Sequence, residues 1–388
     1  METALHILNL WAMKAALITG LCWFCILAAG SRTQAQDVPR YKVDRSWPKP
    51  LPNNRALGQI GGMAADKNDH IWVVHRPRTV VPPKADAAQT TDSSKCCVAA
   101  PSVLEFDTAG NLIKSWGGPD WVPDWSVQEH GMFVETDGSV WTGGNGPQGK
   151  GTTDRIEFKF TNDGKLLMKI GRRSDEPQNN ADTTVLGGPA GAEVDEAAHE
   201  VYIADGYMNK RVVVYDSKTG VFKRGWGAYG IPLDQIDNSI LPAYDSAIGA
   251  GKQFRWPVHC VHISVDGLVY VCDRSGDRVQ VFTKAGKFVK EFLVHPETLG
   301  TGSVGTLAFT SDKMQKYLLI GDDENDVVWI VNRSDGSAAD SFGQKGTGPG
   351  QFQGLHAMAI DSHGNVYTGE NGGKRIQKFV LENSEGNH

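Results

Sequence analysis

Nowhere in the 388 residues do lysines and arginines gather into a block; 39 of them are spread among 45 acidic residues, for a formal charge of -6. That balance offers no electrostatic footprint for nucleic acid or for an anionic membrane surface. Long apolar runs are scarce as well. One stands out: Ala15 to Gly30 follows Lys14 and gives way to the small and polar residues Ser31 to Gln36, the layout of a secretory signal cleaved after Gly30 or Ala35. The run is slightly short for a membrane span, which places an uncleaved N-terminal anchor second. Residues 1–35 are therefore expected to be a signal peptide. The mature chain is expected to be secreted or periplasmic, without stable membrane insertion after cleavage. Cysteine is limited to six positions, and cleavage would remove Cys22 and Cys25. An oxidising destination makes disulfides possible among Cys96, Cys97, Cys260 and Cys272. If Asp266-Gly267 forms a two-residue turn, Cys260 and Cys272 lie diagonally across a hairpin, but strand pairs are poor disulfide hosts and buried thiols fit equally well. The neighbours Cys96 and Cys97 could close a strained ring, bind a soft metal or do nothing chemical.

Glycine and proline, by contrast, are plentiful, at 45 and 18 residues. Helical bundles do not tolerate so many, whereas a chain of short strands and tight turns requires them. The segment Phe254 to Phe282, FRWPVHCVHISVDGLVYVCDRSGDRVQVF, shows the unit: strands Cys260 to Val265, Leu268 to Cys272 and Arg278 to Phe282, with a fourth, Phe288 to Phe292, beyond. Asp-Gly between apolar runs is a strong hairpin signal. The unit recurs six times, each copy anchored in its second strand by an apolar pair: Ile71-Trp72, Val140-Trp141, Val201-Tyr202, Val269-Tyr270, Leu318-Leu319 and Val366-Tyr367. Spacings of 48 to 69 residues reflect insertions such as Pro77 to Ala100 and Tyr229 to Lys252. The last copy ends after its third strand, Arg375 to Val380, while Tyr41 to Trp47 resembles an outer strand standing before the first copy. These features predict an all-β, six-bladed β-propeller over 41–382, its ring closed by that N-terminal strand, with a polar tail at 383–388.

Within the repeat, His130, His259 and His356 each lie ten residues before the anchor of their copy, in copies two, four and six. The matching positions of the other copies hold Gly61, Ala190 and Gly305, so histidine and small residues alternate around the ring. First strands line the channel of a propeller, so three imidazoles converge on the axis with room between them. Three neutral nitrogens with an open fourth position form the catalytic zinc pattern. His75 and His262 fall outside this register and are read as ordinary. Loops after the second strands open on the same face and carry His75-Arg76, Asp205-Gly206-Tyr207, Asp273-Arg274 and Glu370-Asn371. Most such charges support neighbouring loops. Position alone would also let Arg76 act as an anion clamp and Tyr207 as a proton carrier.

GQIGGMAADKNDHIWVVHR, HGMFVETDGSVW, ADGYMNKRVVVYD, PVHCVHISVDGLVYVCDRSGDRVQVF and LHAMAIDSHGNVYTGE together resemble the peptidyl-α-hydroxyglycine α-amidating lyases, a branch of the NHL-repeat propellers. The resemblance runs from about Gly58 to Phe379. It implies a catalytic zinc on His130, His259 and His356, a catalytic tyrosine at Tyr207 and a catalytic arginine at Arg76. It also implies a structural calcium, with carbonyls at Met63 and Met132, but Ala357 stands where the family has the aspartate that completes the set. Met208 replaces a family cysteine. The implied reaction cleaves the N–C bond of an α-hydroxyglycine, from a small-molecule or peptide substrate in the central channel, giving an amide and glyoxylate. Two other functions fit the same fold: a metal-dependent hydrolase or lactonase at the same site, and a non-catalytic NHL propeller that binds a ligand or protein.

Overall fold

Second strands such as IWVVHR and LVYVCD are apolar on both faces because each is sandwiched between two neighbouring blades, and they are buried almost throughout. Outer strands alternate instead, since one face meets solvent, as in LIKSW and FVKEF. A computed structural model of the chain describes residues 38–80, 98–146 and 154–382. The segment expected to be a signal peptide, Cys96, Cys97 and the tail at 383–388 lie outside the described residues.

Six four-stranded antiparallel sheets form the ring. Blade one comprises Gln59–Ala65, Ile71–Arg76, Val103–Phe106 and Leu112–Trp116. Blade two comprises Glu129–Val134, Val140–Gly144, Ile156–Phe160 and Leu166–Gly171. Blade three follows with Gly191–Asp195, Glu200–Asp205, Arg211–Asp216 and Phe222–Trp226. Blade four is Val258–Ile263, Leu268–Asp273, Arg278–Thr283 and Phe288–Leu293. Blade five is Thr306–Phe309, Tyr317–Asp322, Val327–Asn332 and Ala338–Phe342. Blade six takes Leu355–Ile360, Val366–Glu370 and Ile376–Glu382 from the end of the chain. Its fourth strand is Arg40–Asp44, paired antiparallel from Arg40 opposite Glu382 to Asp44 opposite Lys378. A two-stranded parallel pair, Arg55–Ala56 with Val98–Ala99, is an addition the repeat did not predict.

The core is divided into six clusters, one in each gap between adjacent blades. The closing segment serves two of them. Tyr41 and Val43 pack toward blade five, with Tyr41 against Phe342, while Trp47 turns the other way between Phe106 of blade one and Tyr367 of blade six. Trp47→Ala is therefore expected to cost about 3–5 kcal/mol. Deleting residues 40–47 should expose an edge and produce aggregation; an unchanged melting temperature in the truncated protein would show that the ring closes without it.

The Asp-Gly turn is one residue longer than predicted. Ser264 pairs with Leu268, leaving three residues in the loop with Gly267 in the left-handed region. The shift places Cys260 directly opposite Cys272 rather than diagonal to it. They form a disulfide across the hairpin, with Cα atoms 4.9 Å apart, which decides between the two alternatives the sequence left open.

Loops on the histidine-bearing face are held by ion pairs to buried carboxylates at repeated positions. Asp205 pairs with Arg211 at 2.7 Å, Asp273 with Arg278 at 2.7 Å, and Glu370 with Arg375 at 2.6 Å. Each arginine spends its remaining donors on carbonyls of the incoming loop, such as Asn180 and Val185 for Arg211. Charges so fully satisfied can be buried without a net penalty, and they fix where those loops lie.

Candidate metal centre

Each functional histidine starts from a local irregularity. The pairing register of the first strand slips at His259 and at His356, and the same slip occurs at Gly61. In blade two it falls between His130 and Phe133. A bulge adds one residue to the strand and re-aims its side chain. The three rings meet at the axis, with centroids 4.7 to 5.2 Å apart. Their potential ligand atoms all lie within 4.8 Å of one another.

The intervening small residues orient the rings. His130 Nδ1 lies 2.5 Å from the Ala190 carbonyl and His259 Nδ1 2.5 Å from the Gly305 carbonyl, so Nδ1 donates and Nε2 is left as the acceptor facing the axis. For His356 the corresponding carbonyl is that of Ile60, which influences the ring's basicity but stands outside hydrogen-bond geometry, leaving Nδ1 unpartnered. Gly61 has to be glycine, because a Cβ there would meet the Glu129 carbonyl oxygen at 2.4 Å. Burial holds all three imidazoles well below the usual histidine pKa, and the positive charge of Arg76 adds to it. Three neutral nitrogens aimed at one point fit a metal of the zinc type.

The calcium set fits poorly. Beyond the histidines the channel encloses only about 60 Å³, and its lining includes Met63, Met132 and Ala357 but no carboxylate. Another group of possible ligands, Asp66, His70 and Glu105, is consumed by blade one: Asp66 accepts from its own turn and from the Trp72 indole, and Glu105 bonds His70. His75 accepts from the Gly58 amide and donates to the Pro101 carbonyl, with burial lowering its pKa to about 4. His262 pairs with Glu193 at 2.6 Å.

Tyr207 stands over the centre. Its hydroxyl lies 3.0 Å from His130 Nε2 and 3.1 Å from His259 Nε2. The loop that carries it packs against the blade four inner strand so closely that a Cβ on Gly206 would meet the Val258 carbonyl oxygen at 2.1 Å. The Trp256 indole donates to the Tyr207 carbonyl at 2.7 Å and meets its ring edge-on. Burial raises the Tyr207 pKa, while the charges of Arg274 and Arg76 pull it down. Arg76 is buried, with Nε on the Glu129 carbonyl at 3.0 Å and Nη1 on Gln59 and Asn371. Nη2 has no protein partner among the described residues. Burial lowers the Arg76 pKa against the charges of Tyr207, Glu129 and Asp323.

No profile of a known protein family matches the chain. Individual proteins do. Peptidyl-glycine alpha-amidating monooxygenase B of Xenopus laevis is 24% identical over 370 residues, covering 90% of this chain and 36% of that protein. A probable peptidyl-alpha-hydroxyglycine alpha-amidating lyase of Caenorhabditis elegans is 22% identical over 355 residues, 89% of each. NHL repeat-containing protein 3 of Mus musculus is 26% identical over 353 residues, 88% of this chain and 84% of that protein. The chain is a six-bladed propeller that resembles NHL-repeat proteins and the amidating lyases. It spans about a third of the length of the monooxygenases it matches and nearly the whole of the nematode protein.

In this lyase-like propeller the structure also gives weight to residues that the sequence reading left as loop supports or, for Asn145 and Asp323, did not name. Five residues after the anchor of each copy stand Arg76, Asn145, Gly206, Arg274, Asp323 and Asn371, a second ring at one repeat position. Arg274 is buried, stacks on Trp256 at 5.4 Å and leaves Nε unpartnered, while its charge acts on Tyr207, His259 and His356. Asp323 is pushed up to about 6 by burial, against the pull of Arg274. Asn145 is buried beside Tyr207; it bears on the Tyr207 hydroxyl, yet neither of its amide atoms meets a partner in hydrogen-bond geometry. Comparing the six copies at this position, as was done for the histidines, would have found them.

Proposed function

We propose that this chain is an exported zinc-dependent carbon–nitrogen lyase acting on N-acyl-α-hydroxyglycines. The observation that carries the proposal is the joint placement of three neutral imidazoles within 4.8 Å of one another and the Tyr207 hydroxyl in contact with two of them. The similarity to proteins named as amidating enzymes supports the choice of reaction.

His130, His259 and His356 would hold a zinc ion, whose positive charge beside the substrate hydroxyl would favour its ionisation. Tyr207 Oη, as the phenolate, takes the hydroxyl proton and returns it to the departing amide nitrogen as the N–C bond breaks. Burial raises the Tyr207 pKa on balance, so the phenolate would depend on the positive charges of Arg274, Arg76 and a bound metal. Arg76 presents Nη2 to the carboxylate that becomes glyoxylate, and Arg274 adds a second cation to the same face. The products are the amide of the acyl group and glyoxylate, with no oxidant or reductant consumed.

The test pairs metal analysis of the purified protein with an assay of glyoxylate release from a benzoyl-α-hydroxyglycine. About one zinc per chain and release that stops on chelation are expected. Zinc without glyoxylate would overturn the reaction while leaving the site, and protein that binds no metal would overturn both.

A further inference from the structure

Beside Tyr207 and away from the narrow channel lies a groove of about 740 Å³. Its floor is Tyr207, Met208 and Trp256, and its wall comes from the insertion of blade three, Ile240 to Tyr244, with Leu299 facing across from the connection into blade five. Three of the chain's conspicuously exposed apolar side chains gather here: Ile240 at 92%, Leu299 at 60% and Trp256 at 49% exposure. Exposed apolar residues clustered around one concavity next to reactive groups mark a binding site rather than scattered surface.

The wall is preformed. Lys210 Nζ donates to the carbonyls of Asp237 and Ser239, Arg255 donates to the Pro242 carbonyl, and the Tyr244 hydroxyl donates to the Pro296 carbonyl. The two cations of the lining hold the insertion through its carbonyls, and the lining includes no aspartate or glutamate. The groove therefore offers mainly apolar surface, with positive charge at Lys210 and Arg255.

We infer that this groove is the subsite for an apolar acyl group of the substrate. The inference rests on the lyase reading for what is attached to that group. With the carboxylate end directed to Arg76 and the hydroxyl to the histidines, the acyl portion leaves past Tyr207, and Tyr207 and Trp256 form the groove floor. The shared chemistry is a hydrocarbon-rich acyl group, which can come from a hydrophobic C-terminal peptide residue or from a fatty acyl chain.

Binding to zinc-loaded protein is measured by calorimetry with four unreactive N-acylglycines: acetylglycine, decanoylglycine, acetyl-phenylalanyl-glycine and acetyl-glutaminyl-glycine. Decanoylglycine or the phenylalanyl compound should bind roughly tenfold tighter or more than acetylglycine, with no such gain for the uncharged polar glutaminyl compound. Which of the two gains more identifies the source of the acyl group. The double variant Ile240→Glu, Leu299→Glu changes exposed side chains only; it should erase the gain and leave acetylglycine binding unaltered. Equal affinity for all four ligands, no binding of any, or a variant that weakens all equally would overturn the subsite. Turnover of the matching α-hydroxyglycines separates the two claims. Acyl discrimination without glyoxylate release leaves the subsite and removes the lyase, whereas release at equal kcat/KM for every acyl group does the reverse.

Discussion

His259→Ala protein is expected to lose its metal and its activity together, with glyoxylate release at background. Only two imidazoles remain in that variant, and their nitrogens cannot hold zinc against dialysis when a catalytic site ordinarily uses three protein ligands. His262→Ala is the matched control, three residues along the same strand. Its ring pairs with Glu193 rather than with the axis, so zinc content and turnover should stay near the wild-type values. A thermal scan gives an independent reading, since a ligand that binds only the folded state raises its melting temperature. Added zinc should stabilise the wild type and His262→Ala but not His259→Ala. Equal zinc content in the two variants would overturn the assignment of the three channel histidines as ligands.

Tyr207→Phe and Arg76→Ala should keep the metal and lose roughly two orders of magnitude or more in kcat/KM, the usual worth of a positioned proton carrier or of an oxyanion partner. The two variants differ in how the loss divides. Phenylalanine preserves the ring's edge contact with Trp256 and removes only Oη, so affinity for an unreactive N-acylglycine should survive and the deficit should lie in kcat. Arg76→Ala removes a charge that would hold the substrate carboxylate before reaction, so affinity should fall too. It also strips donors from the Glu129 carbonyl, Gln59 and Asn371, and a loss of stability of about 1–3 kcal/mol should accompany it. Full activity in Tyr207→Phe would rule out the tyrosine as proton carrier and leave a hydrolytic use of the same centre as the better account.

Period and register carried most of the architecture. Six apolar anchors, the missing outer strand of the last copy and the alternation of histidine with small residues are local patterns, and each repeats because each blade solves the same burial problem. The sequence by itself therefore determined the blade number, the closing strand and the three histidines that meet on the axis. It did not determine how those rings are aimed. That depends on register slips at His259 and His356 and on carbonyls of Ala190 and Gly305 donated by the next blade, contacts between residues 46 to 60 positions apart. The disulfide between Cys260 and Cys272 turned on a single extra turn residue at Val265 to Gly267, because a one-residue change in a hairpin converts diagonal neighbours into directly opposed ones. The shared repeat position of Arg274 and Asn145 was legible in the sequence, but their placement around Tyr207 and the apolar groove beside it were decided by the tertiary structure, since a loop residue's surroundings are set by whichever blade it folds against.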